Sequence, residues 1–146
     1  MKRSEKAKDL FLSGNNCSQS VLLSFAGDMD LPAEPAFRLA AGFGGGMGKL
    51  QNTCGAVTGA IMVMGLLQGN RSDNNEELKN GTYTLVKEFD RRFRESFGTT
   101  SCAELTGCDL NTPEGSEKFK REQVMEKVCA ACVGNAVELV ESVIPV

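Results

Sequence analysis

The 146-residue chain predicts an all-α fold: a single compact bundle of five or six helices, with a glycine-rich loop ahead of a buried central helix. Two observations carry that prediction. Apolar residues recur at i, i+3 and i+4 through most of the chain, and no convincing run alternates apolar with polar residues as a half-buried strand would. With no linker, repeat or low-complexity tract, the length fits one domain over residues 1–146, enough to bury roughly two thirds of its unfolded surface.

Residues 3–13 form the first helix, with Ala7, Leu10 and Phe11 on one face and a stop at Ser13-Gly14. The second starts after Asn15-Asn16, and its Cys17, Val21 and Phe25 share one stripe at i, i+4 spacing. Leu31-Pro32 ends the next loop. Residues 33–41 make a short third helix carrying Phe37, Ala40 and Ala41, which the glycines of GFGGGMG stop. Residues 53–68 are apolar almost all round, the mark of a buried helix. A membrane span needs about 20 apolar residues, and this shorter segment carries Thr53, Thr58 and Gln68, so it reads as a central core helix. Its Gly55, Ala56, Gly59 and Ala60 form a small-residue strip that admits another helix or a cofactor close to the backbone.

Residues 75–97 form the clearest amphipathic helix, with Leu78, Thr82, Leu85, Val86, Phe89, Phe93 and Phe97 on one side. On the other, Glu88 with Arg92, Asp90 with Arg94 and Arg91 with Glu95 all stand at i, i+4, which makes a self-paired solvated face rather than a phosphate patch. A helical turn at 101–106 and a polar loop through Pro113 follow. The last helix runs from about 116 to 143 with a break near Lys120, and its stripe is Met125, Val128, Cys129, Cys132, Ala136 and Val140.

Sixteen basic against nineteen acidic residues give a net charge of -3, interspersed along the chain. That balance argues against a nucleic-acid partner held by bulk electrostatics. The sequence has no histidine, which excludes imidazole triads and His-ligated zinc or haem. The N-terminus offers only three consecutive apolar residues, Leu10 to Leu12, where a secretory signal needs roughly 7 to 15. A cytoplasmic location is therefore expected, and six cysteines there read as metal, redox or packing residues rather than structural disulfides. A homodimer is the default assembly, and no membrane partner is expected.

The loop GFGGGMGKLQNTCGAVTG invites a nucleotide reading that counting removes. A P-loop would need glycine at Phe43 and a hydroxyl at Leu50, and G-x-G-x-x-G reaches Met47 from Gly42 and Lys49 from Gly44. The glycines read instead as a close-approach loop between buried helices. The cysteines are more informative. Cys17 follows Asn15-Asn16, Cys54 follows Asn52-Thr53, and Cys102 follows Thr99-Thr100-Ser101, so three cysteines open helices behind polar caps. Ser101 and Glu104 have capping-box spacing. Free N–H groups and the positive helix end favour a thiolate there, or a thiolate-bound cluster. Cysteine is equally a small core residue. Cys129-Ala-Ala-Cys132 puts two thiols on one helix face, and with Cys102 and Cys108 could supply four sulfurs to zinc, although the five-residue spacing of the first pair does not suit a zinc ribbon.

The stretches NNCSQSVL, GGGMG, TCGAVTGAIMVMG, FGTTSCAELTGCDL and VCAACVGNA together resemble the C_GCAxxG_C_C family of putative redox-active proteins, over nearly the whole chain. The resemblance places the family's four defining cysteines on Cys17, Cys54, Cys102 and Cys129, with Cys54-Gly55-Ala56-x-x-Gly59 as the central motif and Cys108 and Cys132 accessory. It implies a helical fold and redox activity. A related domain accompanies haem in split-Soret cytochromes, where an iron-sulfur centre is implicated; without histidine or C-x-x-C-H, haem does not carry over.

Three mechanisms follow. Two helix-start thiols could act as a dithiol/disulfide couple. Cys17, Cys54, Cys102 and Cys129 could instead ligate an iron-sulfur cluster for electron transfer, with Gly55, Ala56 and Gly59 making room. Either redox mechanism calls for a partner protein that exchanges electrons. A structural zinc or a non-redox interaction module whose thiols only pack is the third.

Overall fold

The computed structural model describes residues 1–144. Eight α-helices follow one another: α1 (Arg3–Leu12), α2 (Cys17–Ala26), α3 (Ala33–Ala40), α4 (Gly55–Gly69), α5 (Asn75–Phe97), α6 (Cys102–Thr106), α7 (Pro113–Arg121) and α8 (Ala130–Val143). Single 3-10 turns at Gly27–Met29 and Ala41–Phe43 and a π-helical turn at Met125–Cys129 link some of them. Among the described residues there is no strand, only an isolated antiparallel bridge between Thr53 and Ser101. The all-α class is therefore as expected. The helix count exceeds five or six because α6 and α7 stand as separate elements.

α2 lies along α4, and α8 packs on α1 while also reaching α2, α4 and α5. The small-residue strip explains the α2–α4 contact. A Cβ on Gly59 would lie 2.8 Å from the Ser18 carbonyl oxygen, and one on Gly55 would lie 3.0 Å from Cys17 Cβ. Only hydrogen fits between these backbones, and the close approach brings the start of α2 against the start of α4. Around this crossing Leu22, Phe25, Val63, Met64, Phe89, Phe93, Val133 and Val137 are almost fully buried. Phe89 and Phe93 stack with centroids 5.9 Å apart. The opposite face of α5 carries all three expected pairs, Glu88–Arg92 at 2.8 Å, Asp90–Arg94 at 2.9 Å and Arg91–Glu95 at 2.5 Å.

Two expectations are corrected. α3 buries Ala36 and Ala40 and leaves Phe37 45% and Leu39 62% exposed. It meets α2 through its alanines, and Ala41 has passed into the 3-10 turn. The last helix is interrupted more fully than expected. Thr112 caps α7 by accepting from Gly115 N–H at 3.0 Å, with Pro113 at the first helical position, so the helix begins before residue 116. After Arg121 the chain turns through Gln123 in the left-handed region, φ 52°, and restarts as the π turn. No helix among the described residues is long and apolar enough to cross a membrane.

Candidate functional site

The glycine loop winds the wrong way. Gly45, Gly46, Met47, Gly48 and Lys49 are consecutive left-handed residues with φ between 59° and 72°. Such a conformation costs an L-residue roughly 1–2 kcal/mol, and three glycines keep that cost to Met47 and Lys49. Hydrogen bonds from Gly48 N–H to Gly42 O (2.8 Å), Gln51 N–H to Gly45 O (3.0 Å) and Asn52 N–H to Gly46 O (2.9 Å) close the coil.

The coil delivers the chain into the Thr53–Ser101 bridge. There Cys54 N–H donates to Thr100 O at 2.7 Å and Cys102 N–H donates to Asn52 O at 2.6 Å. Two cysteines far apart in sequence are thus laid side by side, Cys54 as N-cap of α4 and Cys102 as first residue of α6. Gly46 is packed into this corner, where an added Cβ would meet Cys102 Cβ at 2.7 Å. Gln51, buried and itself at φ 59°, straps the corner shut: its Nε2 donates to Cys108 O at 2.8 Å and its Oε1 accepts from Leu110 N–H at 2.9 Å.

Cys17 arrives from α2. Asn16 and Gln19 form a reciprocal capping box at 2.8 and 2.9 Å, and Asn16 Nδ2 donates to Ala41 O at 3.0 Å. The helix start is thereby fixed against the loop. Cys129 ends the π turn and Cys132 lies in the first turn of α8. A π turn inserts extra backbone into a helix and recurs at functional sites.

These four approaches line a partly open cavity of about 210 Å³, and Cys17, Cys54, Cys102, Cys129 and Cys132 are all among its lining residues. The remaining lining is mainly apolar, including Phe11, Leu105, Phe119, Met125 and Val128, with Lys49 at its edge. Five soft sulfur donors around such a void match the donor chemistry of an iron-sulfur cluster. Cys108 is elsewhere: its thiol donates to Thr106 O at 3.3 Å. The quartet Cys102, Cys108, Cys129 and Cys132 is therefore not gathered for zinc. Among the described residues no three cysteine or carboxylate side chains are grouped to hold a metal ion, and all six cysteines are free thiols.

The sulfurs are electrostatically unequal. Cys54 is held well below the usual thiol range, chiefly because the Cys132 thiol donates to it, then through the Cys17 thiol and the N–H groups of Ala56 and Val57. Its neighbours move the other way. Cys17 is raised by hydrogen bonding to Cys129 and then Cys54, with burial adding to both. Cys132 is raised by its hydrogen bond to Cys54 and by burial. Burial first, and then the charges of Cys54 and Cys129, push Cys102 up to about 11. The expectation that every helix-start cysteine favours a thiolate is thus met at Cys54 alone. At Cys17 the hydrogen bonds to Cys129 and Cys54 lead, and at Cys102 burial followed by like charge leads, in raising the thiol despite its place at a helix start.

The motifs around these sulfurs decide the comparison with known proteins. A family model described as putative redox-active protein (C_GCAxxG_C_C) matches residues 15–143. The chain belongs to this family. Membership in the C_GCAxxG_C_C family supports a general redox role. No curated protein and no solved structure matches the chain.

Cys17, Cys54, Cys102 and Cys129, the four cysteines to which sequence reasoning assigned chemistry, all reach the same cavity. Gly55 lines it as well, while Ala56 contributes its N–H and Gly59 acts through the helix crossing. Cys132, expected to be accessory, lines the same cavity, as its shared helix face with Cys129 allowed. Gln51 and Lys49 were missed, because nothing in their spacing distinguishes them from other loop residues.

Proposed function

We propose that this C_GCAxxG_C_C protein is an electron-transfer protein whose redox centre is the cysteine-lined cavity, with Cys17, Cys54, Cys102 and Cys129 as thiolate ligands of an iron-sulfur cluster. The mainly apolar cavity lined by five cysteines carries this reading. A disulfide couple needs no void of about 210 Å³. A single ion draws its sulfurs to one point about 2.3 Å away, whereas a cluster is held from the walls of a space. When bound, the cluster would supply one-electron chemistry.

The chain's own residues prepare that site. Gly55 and Gly59 let α2 bring Cys17 against α4. The N–H groups of Ala56 and Val57 stabilise negative charge at Cys54. Leu105, Phe119, Met125 and Val128 line the cavity with apolar surface. A dithiol couple is the second reading, favoured by the depressed Cys54 thiol. Against it stands access, since Cys54, Cys102 and Cys132 are all buried and exchange needs an approachable sulfur.

Anaerobic reconstitution with iron and sulfide tests the proposal. Wild type and Cys108→Ser should take up equal iron and acid-labile sulfide, while Cys54→Ser and Cys102→Ser should lose most of both. Equal uptake by all four proteins, or none by wild type, would remove the cluster reading.

A further inference from the structure

Among the described residues that line the cavity, Lys49 is the only lysine, arginine or carboxylate. Its side chain is exposed, and no carboxylate among the described residues pairs with it, whereas Arg91, Arg92 and Arg94 of α5 are all held by carboxylates three or four residues away. The backbone accepts strain at this position. Lys49 is left-handed at φ 59°, a conformation unfavourable for a residue that carries a Cβ. Its N–H donates to Gly44 O at 3.1 Å and its carbonyl accepts from Asn111 Nδ2 at 2.8 Å. The coil therefore holds it from one side and the loop before α7 from the other. A Cβ on Gly45 would lie 2.8 Å from Lys49 Cγ, so the lysine stem passes over Gly45, which is itself part of the cavity wall. Glycine would relieve the backbone here as it does at Gly45, Gly46 and Gly48; what lysine adds is its charge.

We infer that Lys49 is a positioned charge that sets the reduction potential of the redox centre, its ammonium at the cavity edge stabilising the reduced state. The inference rests on the cluster reading of the cavity. One-electron reduction by an external one-electron donor adds one negative charge to the cavity and makes or breaks no bond. A cation held at the rim favours that added charge, and mainly apolar walls weaken the attraction less than water would. Removing the cation disfavours reduction and lowers the potential.

The test uses wild type, Lys49→Arg, Lys49→Gln and Lys49→Glu, each reconstituted anaerobically with iron and sulfide and assayed for both. Helix content is checked by circular dichroism, and each protein is titrated with dithionite against mediator dyes at low and high salt. Iron and sulfide should be equal throughout. The midpoint potential of Lys49→Arg should match wild type and that of Lys49→Gln should fall. Lys49→Glu should fall by about twice as much, because the interaction is linear in charge. Added salt should shrink both differences, since the ammonium is exposed. Equal potentials in wild type and Lys49→Gln, or a fall in Lys49→Arg as large as in Lys49→Gln, overturns the inference and leaves the cluster reading standing. Loss of iron from Lys49→Arg and Lys49→Gln together also overturns it, because the residue then serves the structure of the coil. Absence of iron from wild type removes the cluster reading and this inference with it, and the metal assay separates that result from an unchanged potential.

Discussion

Cys54 is the sulfur on which the others depend. Two thiols and two backbone N–H groups converge on it and lower its thiol, and negative charge at Cys54 raises the thiols of Cys17, Cys102 and Cys132. In a pH titration of the metal-free reduced protein, thiolate ultraviolet absorbance should therefore begin to rise at lower pH in wild type than in Cys54→Ser. Cys102 has the opposite bias, with a folded value of about 11 against the usual thiol value of about 8.5. Between those values the unfolded chain has released a proton that the folded chain retains. Its contribution to stability is full below about 8.5 and is lost as pH rises toward 11. Cys54 works in the reverse sense, its contribution present above the usual thiol value and lost as pH falls toward its folded one. Urea midpoints of the metal-free protein should thus decline more steeply from pH 8.5 to 11 in wild type than in Cys102→Ala; parallel curves would refute the assignment. The polar caps ahead of Cys17, Cys54 and Cys102 made these three positions legible in the sequence. Cys108 was misleading, because its spacing from Cys102 suggests a partner while Gly107, at φ 64°, turns the chain and sends the Cys108 thiol back to Thr106. That turn lies in tertiary context, as does the strap made by Gln51.

At the scale of elements, the α2–α4 crossing positions Cys17 and the left-handed coil positions Cys54 beside Cys102. Gly59 and Gly65 lie on the same helix and separate packing from propensity. Gly59→Ala forces a methyl to within 2.8 Å of the Ser18 carbonyl oxygen, and should destabilise by about 1–3 kcal/mol. Gly65 has nothing within 4 Å of an added Cβ, and Gly65→Ala should stabilise by up to about 1 kcal/mol. Chemical denaturation of both variants checks the pair, and equal effects would mean that the crossing is not tight. Gly46→Ala carries strained φ and a 2.7 Å contact with Cys102 together; it should cost about 2 kcal/mol or more and reduce iron uptake. The helices themselves were largely readable, since α1, α2 and α5 follow from apolar spacing and caps. The exposed Phe37 and the π turn were not. Periodicity marks which residues share a face, and it does not say whether alanine or phenylalanine fits the gap.

For the whole molecule, the core and the site are built by different parts of the chain. α1 to α5 and α8 supply the almost fully buried core, whereas α6, α7 and the π turn contribute to lining the cavity. This arrangement explains how so apolar a void persists beside a well-packed bundle, and it makes the cavity the property that the fold as a whole produces. We propose that this cavity is a redox centre built to hold an iron-sulfur cluster. Its most direct test is anaerobic purification of the protein as expressed, with iron and acid-labile sulfide assayed on the same sample as its absorption spectrum. Comparable amounts of iron and sulfide, with visible absorption that bleaches on reduction, is the predicted result; colourless protein without sulfide, prepared without exposure to oxygen, would contradict it.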